Sequence, residues 1–168
     1  PTAFRVTPAL TALSGVAGYM GTLGYGIGTD LRPSRLTTPG CIAVHRRLKE
    51  MLDAGAGHVV TEVSSHALDQ NRVAGVRFRV AALTNLTRDH LDYHGTMEEY
   101  GRVKERLFTN RSTKGYKSGA SRVISAVINI DDAFGIKMAK KLTNVLTYSL
   151  AGGDIFTLQM NETADGMT

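Results

Sequence analysis

Runs of β-branched residues alternate along this chain with segments whose apolar residues recur at helical spacing, and that alternation restricts the fold more than any other feature. Residues 58–63 (HVVTEV), 80–84 (VAALT), 123–130 (VISAVINI) and 145–150 read as strands, and residues 16–23 add another before the glycine-rich turn GYGIG. Residues 7–13 read as the end of a helix stopped by Gly15. In TTPGCIAVHRRLKEMLDAGAG, Thr38 can cap a helix, Pro39 fits its first turn, and Gly55 or Gly57 can end it. Ile42, Leu48, Met51 and Leu52 give that helix its apolar face. Thr96 and Glu99 have capping-box spacing and open a helix carrying Met97, Tyr100, Lys104, Leu107 and Phe108. Residues 132–142 predict one more helix. The order predicts an α/β fold with a mainly parallel sheet flanked by helices. In such sheets, ligands sit beyond the carboxyl ends of the strands.

Composition narrows the possibilities. The 168 residues are enough for one domain with a substantial core, and no repeat or linker interrupts them. The single cysteine, Cys41, excludes an internal disulfide and fits a reducing compartment. No apolar run approaches the roughly 20 residues of a membrane helix, and residues 1–10 lack the charged and apolar regions of a signal peptide. Net charge is +5, which suits an anionic ligand. The basic residues do not interleave with aromatics, so nucleic acid is not the expected partner. Arg111, Lys114, Lys117 and Arg122 read as a solvated loop, and the tail from residue 151 is polar and poorly periodic.

Three strand ends carry candidate chemistry: Glu62, Asn85 leading into LTRDHLDYHG, and the group Asn129, Asp131 and Asp132. The densest constellation is Glu62 with Ser64, Ser65 and His66, then Arg88, Asp89 and His90, then Lys104. Neighbouring strands would bring Glu62 and His90 to one cleft. A hard cation such as Mg²⁺ takes oxygen ligands and keeps waters and substrate phosphates, and one Glu with one His leaves room for both. The plainer reading makes Glu62 a cap on the following turn and His90 a hydrogen-bonded loop residue; spacing alone favours it. Lys104 shares the apolar stripe of its helix, where burial lowers an amine's pKa. A neutral amine can add CO₂, giving a carbamate that ligates metal through oxygen. A lysine that packs its methylenes and extends its ammonium to water is the simpler alternative, and spacing alone favours that too. His90 and His94 stand i, i+4 but lack the HExxH pattern, and no G-x-S-x-G elbow accompanies Ser64, Ser65 and His66.

Two long strings make the pattern specific. TEVSSHALDQNRV and LTNLTRDHLDYHGTMEEYGRVKERLF resemble the central domain of the Mur ligases, most closely the UDP-N-acetylmuramoyl-tripeptide synthetase (MurE) branch. GTLGYGIG, LTTPG and VINIDDAFG extend the likeness over nearly residues 15–150. The resemblance implies a P-loop NTPase-like domain, cytoplasmic in bacteria. Its implied reaction is the ATP-dependent addition of diaminopimelate or lysine to UDP-MurNAc-L-Ala-D-Glu through an acyl phosphate, with Mg²⁺ as cofactor. By the same resemblance, Glu62 bridges the metal sites, His90 ligates the second Mg²⁺, and Lys104 is the carbamylated lysine. Thr37, Thr38, Ser64, Gln70 and Arg72 match positions that hold the UDP-MurNAc-dipeptide. The family's phosphate loop, of the G-x-x-x-x-G-K-[ST] type, does not occur in these 168 residues. The expectation is therefore a central-domain fragment spanning residues 1–168, without the uridine-binding and C-terminal domains and inactive by itself. The alternatives are a binding module without phosphate-loop chemistry, or another Mur or folylpolyglutamate synthetase-like ligase.

Overall fold

The computed structural model describes residues 2–109, 124–156, 162–163 and 166–167. The basic loop expected around residues 111–122, and Val123 at the start of VISAVINI, lie outside them. The chain divides into two compact units, residues 1–76 and 77–168.

The first unit runs α1 (Thr2–Ser14), β1 (Ala17–Gly21), β2 (Gly24–Ile27), β3 (Asp30–Arg32), α2 (Cys41–Asp53), β4 (His58–Thr61) and α3 (Ser65–Asp69). Its sheet has the order β3-β2-β1-β4. β1 and β4 are parallel, with Ala17 opposite His58 and Met20 opposite Thr61. The other two pairings are antiparallel. Only Thr22 and Leu23 join β1 to β2, which is too short for a crossover and forces a hairpin. Gly24–Ile27 of the GYGIG segment are thus a strand and not the turn their glycines predict, and only Gly28 (φ +59°) lies in a turn. Gly24 (φ +129°) and Gly26 (φ +155°) serve close approach: a Cβ at either would strike the carbonyl oxygen of Arg32 or Asp30 on β3.

Met20, Val44, Met51 and Ala56 form this unit's core, with Tyr25, Ile27, Leu48, Val59 and Val76 packed around them. The buried stripe of α2 is Val44, Leu48 and Met51. Ile42 and Leu52 are 79% and 61% exposed, contrary to the expected apolar face. At 100° per residue Ile42 lies about 160° around the helix from Val44. Thr38 does not cap α2. Gly40 holds the cap position without a side-chain bond, and Thr38 is buried for another purpose described below.

The second unit runs β5 (Val80–Leu83), α4 (Leu91–His94), α5 (Met97–Thr109), β6 (Ser125–Asn129), α6 (Ala133–Ala139), β7 (Val145–Ser149) and β8 (Ile155–Phe156). Its sheet, β5-β6-β7-β8, is wholly parallel, as the alternating pattern predicts. β8 falls in the stretch read as non-periodic; two residues carry no period. A two-stranded ribbon, β9 (Glu162–Thr163) with β10 (Gly166–Met167), follows. Leu83, Ala126, Ile128 and Met138 form the core, with Phe108, Ile130, Phe134, Ala139, Leu142 and Val145 against them. Asp132 caps α6 by accepting from the amides of Phe134 (2.8 Å) and Gly135 (3.0 Å). Its other oxygen accepts from Leu86 N at 2.9 Å, fastening the loop after β5 to the start of α6. At α5 one arm of the predicted capping box is present, Glu99 N to Thr96 Oγ1 at 3.1 Å, while the Glu99 carboxylate pairs with Arg102. Among the described residues, no helix is long and apolar enough to cross a membrane.

Candidate functional site

Glu62 follows β4 at the sheet's carboxyl edge. Parallel pairing with β1 brings its carboxylate beside the end of that neighbouring strand. The Tyr19 hydroxyl donates to Oε1 at 2.6 Å. Thr22 donates to Oε2 twice, from its hydroxyl at 2.7 Å and its amide at 3.3 Å. Glu62 is therefore not the cap of the turn that follows it, the plainer reading its sequence allows; Ser64 has that role, accepting from Ala67 N at 3.2 Å to start α3. Tyr19 is fully buried, and its phenol is pushed up to about 12, first by burial and then by its hydrogen bond to the Glu62 carboxylate.

The substrate-binding candidates lie around the same carboxylate. The Thr37 hydroxyl stands 3.1 Å from the Thr22 hydroxyl. Thr38, 1% exposed, donates to the Glu62 carbonyl at 2.8 Å and accepts from Ser64 N at 3.1 Å. Arg72 Nη1 donates to the Thr38 carbonyl at 2.9 Å. Its Nε and Nη2 straddle Gln70 Oε1 at 2.9 and 2.5 Å. Glu62, Thr37, Thr38, Ser64, Gln70 and Arg72 thus belong to one hydrogen-bonded network in the first unit. Two of its members, Tyr19 and Thr22, escape the sequence reading. Thr22 lies inside the quoted GTLGYGIG string, but Tyr19 looks like one more apolar strand residue, and only the register of β1 against β4 reveals its partner.

His90 and Lys104 belong to the second unit, and both lie against Tyr100. His90 precedes α4 in the left-handed region (φ +55°), its ring edge-on to Tyr100 with centroids 6.1 Å apart. Lys104 Nζ lies 5.1 Å from the Tyr100 ring centre, one helical turn along α5. Burial lowers the Lys104 pKa, and the Asp89 carboxylate opposes that shift. Asp89 also stands 3.4 Å from His90 Nε2. The buried His94 ring stacks on Tyr100 at 5.1 Å. Tyr100, which the sequence marks only as an apolar helix position, is the platform that these three side chains share.

The strand-end group of β6 has a structural task. Asn129 Nδ2 donates to the Thr84 carbonyl at 2.9 Å, tying the tips of β5 and β6. Both oxygens of Asp131 accept from Leu150 N, at 3.2 and 3.0 Å, tying in β7. Among the described residues, no three His, Cys, Asp or Glu side chains converge to hold a metal ion.

Residues 5–168 match the family model of the Mur ligase middle domain. The chain belongs to that family. As a Mur ligase middle domain it is 44% identical over 163 residues to the UDP-N-acetylmuramoyl-L-alanyl-D-glutamate–2,6-diaminopimelate ligase of Chromobacterium violaceum, covering 95% of this chain and 31% of that protein. Its identity to the ligase of the same name from Alkalilimnicola ehrlichii is 49% over 138 residues, covering 80% of this chain and 26% of the relative. A solved structure of a ligase with that name superposes with a TM-score of 0.81 at 31% identity, covering 98% of this chain and 33% of that one. This middle domain therefore spans about a third or less of the length of these relatives.

Proposed function

We propose that this middle domain belongs to a cytoplasmic ATP-dependent ligase that joins 2,6-diaminopimelate to UDP-MurNAc-L-Ala-D-Glu in peptidoglycan synthesis. In this reading residues 1–168 supply the central part of the ligase, and other parts of a longer protein supply the phosphate loop, the uridine grip and the C-terminal domain. The observation that carries the reading is the network joining Glu62 to Thr37, Thr38, Ser64, Gln70 and Arg72, in a chain whose relatives bear that ligase name. The relatives also favour diaminopimelate over lysine as the incoming amino acid.

The reaction needs two substitutions. A carboxylate oxygen of the D-Glu residue attacks the ATP γ-phosphorus, the bond to the β,γ-bridging oxygen breaks, and ADP leaves. The amine of the diamino acid then attacks the acyl carbon, phosphate leaves, and the nitrogen loses a proton. Arg72 offers a planar guanidinium to an anionic group of the substrate, with Gln70 setting its orientation. Thr37 and Ser64 add hydroxyl groups for positioning, where much of the rate enhancement in phosphoryl transfer arises, and Thr38 holds them in place through its buried bridge to the Glu62 carbonyl and the Ser64 amide.

Mg²⁺ suits the donor chemistry. Both Glu62 oxygens accept from hydroxyl or amide donors and keep further lone pairs, the oxygen chemistry a hard cation takes. Half-buried Lys104, with its lowered pKa, is suited to carbamylation: Nζ bonds to the carbon of CO₂, a proton leaves for solvent, and an anionic oxygen ligand results. We assign Glu62, His90 and carbamylated Lys104 as Mg²⁺ ligands. When bound, Mg²⁺ neutralises phosphate charge as it is transferred.

The test is ligation by the full-length gene product with UDP-MurNAc-L-Ala-D-Glu, ATP and diaminopimelate. Phosphate release coupled to tripeptide formation is expected. Lys104→Ala should lose most of the rate and regain part of it with a short carboxylic acid. Binding of the UDP-MurNAc-dipeptide without phosphate release would replace the ligase reading with that of a binding module.

A further inference from the structure

The Glu62 carboxylate is held at both oxygens, and the two halves of that clamp differ. Thr22 is exposed and lies in the β1–β2 turn, whereas Tyr19 is fully buried within β1. Its ring meets Phe4 of α1 edge-on at 5.4 Å, so its position is set by packing. The direction of its proton is set as well. Leu23 N donates to the Tyr19 oxygen at 3.4 Å, and the phenolic proton then points to Glu62 Oε1 at 2.6 Å. Gly21 makes the approach possible: a Cβ there would collide with both the Tyr19 hydroxyl and the Glu62 carboxyl group. No function described above uses Tyr19.

We propose that Tyr19 is a positioning residue for the Glu62 carboxylate, fixing its orientation so that its remaining lone pairs are ready for a divalent cation. The inference rests on the reading of Glu62 as a Mg²⁺ ligand. A free glutamate loses side-chain rotamer freedom when it binds a metal. Here that freedom is lost on folding, so cation binding does not bear the same entropic cost. Hydrogen bonds to a ligating carboxylate commonly control metal affinity in this way. A rigid buried phenol does so better than a surface hydroxyl, because its alternative partners are excluded with the water.

The experiment uses the full-length gene product without nucleotide, with Mn²⁺ as the probe and the free ion counted by electron paramagnetic resonance. Thermal unfolding is followed alongside. Tyr19→Phe keeps the ring against Phe4 and removes only the hydroxyl. It should weaken the tightest Mn²⁺ site roughly tenfold or more, whereas Glu62→Gln should remove that site. Wild-type affinity in Tyr19→Phe, with the site lost in Glu62→Gln, overturns the role of Tyr19 and leaves Glu62 a ligand. Wild-type affinity in both variants overturns the reading of Glu62 and the inference with it. If Tyr19→Phe does not fold, 3-fluorotyrosine at position 19 keeps the ring and makes its hydroxyl a stronger donor. Mn²⁺ affinity should then shift measurably with the strength of that hydrogen bond, and binding identical to wild type overturns the proposal.

Discussion

Arg72 Nη1 donates to the carbonyl oxygen of Thr38 at 2.9 Å across 34 residues of sequence, tying the segment after α3 to the segment before α2. The same guanidinium straddles Gln70 Oε1, so it is already oriented before any ligand arrives. A lysine has one ammonium and cannot hold both partners in that geometry. Arg72→Lys in the full-length ligase is expected to raise KM for the UDP-MurNAc-dipeptide about tenfold or more, with a smaller change in kcat. Steady-state kinetics with the dipeptide varied would check this, and an unchanged KM would take Arg72 out of the substrate site.

Thr38 is a buried bridge between the Glu62 carbonyl and the Ser64 amide. Thr38→Val keeps the shape and leaves both backbone groups without their partner. The expected loss of stability is about 1–3 kcal/mol. Thr38→Ser, which retains the hydroxyl, should lose much less. Urea midpoints of the two variants separate a hydrogen-bonding role from a packing one.

Gly135 sits in the first turn of α6, where a Cβ would overlap the carbonyl oxygen of Asn129 on β6. Backbone cannot yield as a flexible side chain can. Gly135→Ala should cost about 3 kcal/mol or more by forcing α6 off the sheet. The measurement is the thermal midpoint, and an alanine variant as stable as the parent would show that the helix can shift freely.

Asp154 accepts from the amide and hydroxyl of Thr147, both at 2.7 Å, and these bonds hold its carboxyl below the ordinary value of 3.8. A depressed carboxylate contributes stability above its unfolded pKa and loses it as pH falls through the folded one. Protection of the Thr147 amide from exchange, taken relative to the unstructured rate at each pH, should therefore be high at neutral pH and fall below about pH 4. Asp154→Asn should remove that acid dependence. A Thr147 exchange profile identical in the variant would assign the effect to another group.

Much of the architecture was legible in the sequence because it follows from local periodicity. The β-branched runs became β4, β5, β6 and β7, and the helical stripe with Thr96 ahead of it became α5. The glycines of GYGIG were misleading, since local propensity marks them as a turn and only the nearness of the β3 backbone explains why a strand contains them. Periodicity puts Ile42 and Leu52 on the apolar face of α2, yet both are exposed, because which side of the helix is covered depends on where the sheet lies. For the site, motif resemblance named Glu62, Thr37, Thr38, Ser64, Gln70 and Arg72, and folding joined them in one network. The sequence by itself determined which residue types stand at the strand ends, because order along a chain needs no folding. Tertiary structure alone decided that Tyr19 meets Glu62 and that His90, His94 and Lys104 share the Tyr100 ring. Strand register and helix placement arise from long-range packing, and no local pattern encodes the partner at the far end of a hydrogen bond.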